Sequence, residues 1–409
     1  MFKWDKRLWT LFAIVFANFL GGTIVLPSLP LYAQRHFTAS PEAISLMLAS
    51  YFIAQFLAAP FIGRLSDRYG RLPVLVISQF GTFLSFVMLG TATSIPMLFA
   101  ARILDGITGG NVIVAQAYVT DITTREERTR GLGVIFAAFG LGYILGPALG
   151  GLVSAFFSDH ATFFVGAAIS LFTTILTWVV LDESLTPERR ARITADRAGR
   201  RPFNLRDAWA NVPLRWILLI GFGAQLSIAL LQSSIALFSE AELFKGASEQ
   251  TVSLGVGLML MGIGFGQFIT QLALLRPAVE RFGEQRLVIV GAFFRGLGMF
   301  LIVLLGSPLL VGSMALTMIA LSSGLMMPSL QALATSCASD GDSGAVLGIY
   351  GSSTSLGIIV GTALGGQLFG AAHPLPFIVA GFILWLLMVP AVMLSRIPTL
   401  SFRPAKQPV

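Results

Sequence analysis

The sequence predicts an all-α polytopic membrane protein of twelve transmembrane helices in two six-helix bundles. Three observations carry that expectation. The first is composition: 55% of the 409 residues are hydrophobic, mean hydropathy is +0.81 and only 11% are charged, against roughly 25% charged in soluble domains. The second is the length of the apolar runs, which repeatedly reach the ~20 residues a helix needs to cross a bilayer. The third is an internal repeat. Gly133, Gly142, Gly146, Gly150 and Gly151 return as Gly348, Gly357, Gly361, Gly365 and Gly366, every member displaced by 215 residues. Five coincident glycines mark two related halves, so the chain reads in pairs.

Apolar runs fall at about 8–33, 43–65, 72–92, 95–120, 130–154 and 160–181, and again at about 214–238, 250–274, 286–307, 310–335, 343–369 and 373–396. The opening MFKWDKR has the charge of a signal-peptide n-region. The apolar stretch behind it, Leu8 to Ala33, exceeds the roughly 7–15 residues of an h-region and no small-residue cleavage site follows, so it reads as a retained first span. The bundles are then residues 1–181 and 214–409, joined by the polar segment 182–213.

Basic residues set the orientation. Lys3, Lys6, Arg7, Arg64, Arg68, Arg71, Arg125, Arg128, Arg130, Arg276, Arg281 and Arg286 fall on one side if the spans alternate, as do the cluster from Arg189 to Arg206 and Arg396, Arg403 and Lys406. The other side keeps Arg35 and Lys245. Loops rich in Lys and Arg stay in the cytoplasm, which places both termini there. The surplus of 27 Lys+Arg over 20 Asp+Glu thus belongs to the membrane surface rather than to nucleic acid. Within the linker, the stretch from Phe203 to Trp209 suits a short amphipathic helix.

Several polar groups stand out against this background. Between spans two and three, GRLSDRYGRLPVL carries Gly63, Asp67, Arg68, Gly70 and Arg71. Gly70 permits a tight turn, and the charges sit at helix ends where they can pair into a cytoplasmic gate with Asp121, at the end of span four. A degenerate copy, Glu280, Arg281, Phe282 and Gly283, lies between spans eight and nine, with Glu284 in the place of Arg71. The gate is expected to be asymmetric. In span four, Arg102, Asp105, Gly106, Gly109 and Gln116 share one face of a continuous helix. A charge at the bilayer centre costs roughly 2.5–3.5 kcal/mol on insertion scales, so Arg102 and Asp105 should face a cavity or each other. The corresponding span-ten positions are Thr317 and Ala320, and only Gly324 and Gln331 recur.

Span five, GVIFAAFGLGYILGPALGG, is a helix-packing motif: Gly142, Gly146 and Gly150 line one face, Gly133 and Gly151 flank them, and Pro147 removes a backbone donor. Asn18, Tyr51, Gln55, Gln116, Gln225, Gln232, Arg295 and Gln331 are polar groups within spans, and Gln267 with Gln271 adds another pair. Each suits either interhelical hydrogen bonding or a mostly apolar cavity with a few amides for drug-like ligands. Arg295 needs a partner, structural or an anionic substrate.

His36, His160 and His373 are scattered near the outer ends of spans, and no metal site is expected. Cys337 is the single cysteine and reads as a packing residue. No phosphate loop, nucleophile triad or zinc pattern is present, and the glycine runs lie in apolar helices rather than after strands. No cofactor and no enzymatic activity are expected.

GRLSDRYGRLPVL resembles the signature loop of the major facilitator superfamily, Arg102 to Gly106 resembles its span-four motif, and the span-five glycines match the motif associated with proton-coupled exporters. LPSLPLYA, DRYGRLPVL and YVTDITTREERTRG, through Tyr118, Asp121 and Gly131, bring the whole chain nearest to twelve-span drug:proton antiporters of the tetracycline and multidrug type. The resemblance implies alternating access about a midplane site. It also implies proton coupling at Asp105 with Arg102, an inner-membrane location in a bacterium, efflux of amphipathic small molecules by a monomer, and the span-eleven start near Ser343 facing Asp67. The sequence departs from the tetracycline pattern: span one offers Asn18 and no carboxylate, and span seven has acids only at its outer end, Glu240 and Glu242. A proton-coupled exporter of a lipid, sugar or metabolite is the alternative, and a non-transporting membrane receptor a more distant one.

Overall fold

Among the described residues twelve helices are long and apolar enough to cross a membrane. The computed structural model describes residues 6–123, 128–185, 205–338 and 343–397. The spans are α1 (Trp9–Phe37), α2 (Pro41–Tyr69), α3 (Arg71–Gly90), α4 (Ile95–Ile122), α5 (Gly133–Phe156), α6 (Asp159–Val180), α7 (Val212–Leu243), α8 (Glu249–Phe282), α9 (Glu284–Leu305), α10 (Pro308–Ser336), α11 (Gly344–Ala371) and α12 (Leu375–Ser395). Among the described residues there is no strand.

Local chemistry sets many boundaries. Ser40 caps α2 by accepting from the Ala43 N–H, and Ser158 caps α6 by accepting from Ala161. Gly70 and Gly283, the paired glycines of the two signature loops, both adopt positive φ (112° and 76°), a region that favours glycine. The α8 helix runs beyond the expected apolar limit because its last segment, Leu275–Phe282, buries none of its residues. There Arg276 pairs with Glu280 one turn on, at 2.9 Å. In the linker a short helix, Leu205–Ala210, lies where the amphipathic segment is expected, with Ala208 buried and Trp209 exposed. Residues 124–127, most of the linker's arginine cluster (186–204) and the basic tail (398–409) lie outside the described residues, as does Lys3.

Two compact units emerge: Met1–Arg200 with Ser233–Gly264, and Arg201–Gln232 with Phe265–Val409. In the first, α1 packs on α5 and α6, α3 on α6, and α2 on α4. Its core joins Leu11, Ile14, Leu75, Val114, Tyr118 and Ile135. In the second, α9 packs on α10 and α12.

The glycine repeat has a physical basis. A Cβ on Gly142 would strike the backbone of Phe16 and Leu20, and one on Gly146 would strike Leu20 O and Thr23. In the other unit, Gly357 meets the backbone of Phe222 and Leu226, and Gly361 meets Leu226 O and Ala229. The same main-chain atoms are involved in both, with an α1-to-α7 displacement of 206 residues. Thr23 Oγ1 also lies 2.9 Å from the Gly142 carbonyl. Gly133 and Gly348, by contrast, have open space around them. The close-packed part of the motif therefore begins at Gly142.

Candidate functional site

Three polar sites are built within the first unit. The first is on α4, where Arg102 and Asp105 are both buried. One helical turn brings Arg102 Nη1 to 2.9 Å from Asp105 Oδ2. The guanidinium carbon lies 4.3 Å from the centre of the Tyr51 ring on α2, a cation–π contact, and Thr82 of α3 hydrogen-bonds Asp105. Gly106 allows this: any Cβ there would collide with the Tyr51 carbonyl and Ala54, so α4 lies directly on α2. The helix expected to continue through Gln116 is instead broken at Gly109–Gly110, between Ile95–Thr108 and Asn111–Ile122. The break leaves the Gly109 carbonyl available, and Gln55 Nε2 donates to it at 3.0 Å and to Tyr51 Oη at 3.1 Å. Gln116 lies beyond the break, half-buried.

Asn18 belongs to a neighbouring cluster. With Gln79 and Asn111 it lines a small cavity among α1, α3 and α4, with room for about one water. Asn18 Nδ2, Gln79 Nε2 and Asn111 Oδ1 find no protein partner there, while Thr177 donates to Gln79 Oε1 at 2.8 Å.

The second site is the signature loop. Arg71 is buried and makes two ion pairs, Nη1 with Asp67 Oδ1 at 2.7 Å and Nε with Asp121 Oδ2 at 3.0 Å, and it also donates to Ser66 Oγ at 2.7 Å. Sequence reasoning missed Glu183, just past α6. Its carboxylate accepts the N–H groups of Arg71 (2.8 Å) and Leu72 (3.1 Å), capping the start of α3. A Cβ on Gly70 would occupy that carboxylate's place. Ser184 bonds Asp121, and Tyr118 donates to the Asp182 carbonyl at 2.7 Å, so residues 182–184 strap the loop. The acidic pair Asp182–Glu183, directly after a span, was the available signal. Arg68 is exposed and stacks beside Tyr69, and Gly63 has open space, so neither joins the ion network. The Ser343 side chain lies outside the described residues.

The third site, at the opposite end of α1, gathers Arg35, Asp159, Glu240, Glu249 and Ser253. Beside it, His36 and His160, expected to be scattered, meet edge to face at 5.3 Å between ring centres with Tyr32 against both. Helix packing of α1 on α6 brings the two histidines together, which their separation in sequence concealed. Among the described residues no cluster suits a metal ion.

Gln225, Gln232, Arg295 and Gln331 lie in the second unit. Arg295 is fully buried and its Nη2 donates to the Ala224 carbonyl at 2.9 Å. Gln225 and Gln232 are half-buried on α7, and Gln331 is exposed on α10. Gly324 presses on Gln267 and Thr270 of α8, much as Gly109 presses on Gln55. In the second signature loop Glu284 is buried where the first has Arg71.

The comparisons with known proteins agree with this architecture. The family model described as Major Facilitator Superfamily matches residues 11–265 and 245–408. The class C tetracycline resistance protein of Escherichia coli is 32% identical over 397 residues, covering 95% of this chain and 97% of that protein. Multidrug resistance protein 2 of Bacillus subtilis (strain 168) is 29% identical, covering 92% of each. Among solved structures, a bacterial homolog of the human lysosomal transporter Spinster, in an inward-facing and occupied conformation, superposes with a TM-score of 0.79 over 98% of each chain at 14% identity. With its repeat, its spans and matches over nearly its full length, the chain belongs to the Major Facilitator Superfamily and is a membrane transporter rather than an enzyme.

Proposed function

We propose that the protein is a proton-coupled exporter of drug-like, amphipathic small molecules that works by alternating access in a bacterial inner membrane, with both termini cytoplasmic. The observation that carries the reading is the buried Arg102–Asp105 pair, roofed by Tyr51 and bonded by Thr82. An ion pair held in an apolar span is costly, and ionisable groups at such depth mark functional positions. Protonation of Asp105 would remove its charge while the Tyr51 ring keeps hold of Arg102, so one proton can come and go without stranding a cation. The tetracycline and multidrug resistance relatives support the substrate class.

In this reading the Asp67–Arg71–Asp121 network is the cytoplasmic gate, and residues 1–181 and 214–409 act as the two bundles joined by the linker. The half-buried amides Gln55 of α2 and Gln225 and Gln232 of α7 are the candidate polar contacts for substrate.

The test is Asp105→Asn in proteoliposomes with an imposed pH gradient and a panel of cationic, neutral and anionic drugs. Asparagine keeps an oxygen for Arg102 but cannot gain or lose a proton as a carboxylate does. Uphill transport should be lost while downhill exchange of the same drug persists. An Asn variant that still concentrates drug would remove Asp105 from the coupling step. Accumulation of lipids, sugars or metabolites and of no drug would overturn the substrate class.

A further inference from the structure

One guanidinium faces three carboxylates at the end of the first unit remote from Arg71. Arg35, in the last turn of α1, donates through Nε to Glu240 Oε1 at 2.8 Å. Its Nη1 lies 3.3 Å from Ser253 Oγ, 3.8 Å from Glu249 Oε2 and 3.9 Å from Asp159 Oδ2. Those partners come from the end of α7, the start of α8 and the start of α6, so a single side chain ties four spans. Arg35 is only 11% exposed, and its Nη2 and the second oxygen of Glu240 are buried without a protein partner.

The three carboxylates are not equivalent. Asp159 opens α6, where the helix N-terminus favours its negative charge, and Ser154 of α5 hydrogen-bonds it. Glu249 is 78% exposed, so water screens its pull on Arg35. Glu240 makes the short contact, keeps one oxygen uncommitted and is 27% exposed. It also sits in a π-helical turn, Ser239–Leu243, a distortion that recurs at functional positions.

We infer that Glu240 is a second proton-binding group of the transport cycle, with Arg35 as the partner it releases. Ionised, Glu240 holds Arg35 and keeps α1 and α6 drawn against α7 and α8. A proton from water at that end adds to its uncommitted oxygen and removes the charge that binds Arg35. Arg35 then retains the Ser253 hydrogen bond and the long contacts to Asp159 and Glu249, none of which reaches α7, and this end opens. Protonation breaks the contact that draws the four spans together, so lower pH favours opening. The other titratable groups on the flank are Tyr32 and His36 of α1 and His160 of α6, with Glu242 and Lys245 beyond Glu240 in sequence. Protonated histidines would add positive charge beside the carboxylates and oppose the response, so their removal separates the two effects. The inference rests on the proton-driven reading above, with the proton entering at this end.

The experiment is a double electron–electron resonance distance between spin labels at Phe157→Cys and Lys245→Cys, both exposed, measured across pH. The parent should shift toward a longer distance as pH falls, the long-to-short ratio changing by up to about tenfold per pH unit for one proton. Glu240→Gln should show the long distance at every pH. Glu240→Asp, which keeps the charge, should retain the response, as should His36→Gln and His160→Gln. A Glu240→Gln protein with the parent's distances and pH response would overturn the inference, as would a pH response that disappears with either histidine. Because the readout is a distance, its outcome is independent of whether Asp105→Asn still drives uphill transport.

Discussion

Gly151 of α5 and Gly257 of α8 meet backbone to backbone: a Cβ built on either would lie 2.9 Å from the other's Cα. The Gly257 Cβ would also come within 2.7 Å of the Pro147 carbonyl. Close approach of this kind is what small residues provide where no hydrophobic driving force acts between helices in lipid. Gly257→Ala should therefore force the helices apart, costing about 1–3 kcal/mol as over-packed contacts do. A lowered unfolding temperature of the purified protein would show it, and an unchanged one would mean the contact yields freely.

The glycine motif should respond unevenly. Gly146→Leu drives a side chain into Thr23 and the Leu20 carbonyl, and should abolish folded protein or transport. Gly133→Leu meets open space and should leave both intact, gaining about 0.5–1 kcal/mol of helix preference. Expression level and, on the proposed function, drug efflux in whole cells separate the two outcomes.

The Arg71 network should be non-additive. Asp67→Asn or Asp121→Asn alone leaves one carboxylate on a buried guanidinium, at a cost of about 1–2 kcal/mol. Removing both strands the charge and should cost about 3–5 kcal/mol more than either, by analogy with broken buried pairs. Denaturation midpoints of the three variants measure it.

Glu183→Ala should uncap α3. Loss of the bonds from Arg71 N and Leu72 N predicts about 0.5–2 kcal/mol, the range for helix caps. Hydrogen exchange at the first turn of α3 should accelerate while exchange in the middle of α2 stays unchanged.

Cys337 should be nearly inert. Burial pushes its thiol up to about 11, so little thiolate exists at neutral pH. Alkylation should be slow at pH 7 and rise steadily through pH 10. Fast labelling at pH 7 would contradict that environment.

Spans and repeat were legible because both are written in one dimension: hydropathy over about 20 residues, and glycines at a fixed interval. The i,i+3 pair Arg102–Asp105 was legible for the same reason, since a helix turn converts spacing into contact. What escaped depends on contacts between distant segments. Nothing local in Arg35, at the end of α1, indicates that Asp159 and Glu240 will surround it. Nor does Glu183 reveal that it will cap a helix more than a hundred residues earlier. The break at Gly109–Gly110 was hidden differently, because glycine pairs are common in membrane helices and most do not interrupt them.

The matched glycine contacts of the two halves fall largely on main-chain atoms: Phe16 O, Leu20 N and Leu20 O in one, Phe222 O, Leu226 N and Leu226 O in the other. Apart from the contacts to Phe19 Cβ, Thr23 and Ala229, a joint seated on carbonyls and amides does not depend on which side chains the opposing helix carries. The other faces of α1 and α7 can therefore change their side chains while the seating of α5 and α11 stays put. Backbone seating and side-chain chemistry are thus separately heritable, and replacing side chains of α1 or α7 away from these contacts should leave the helix packing intact.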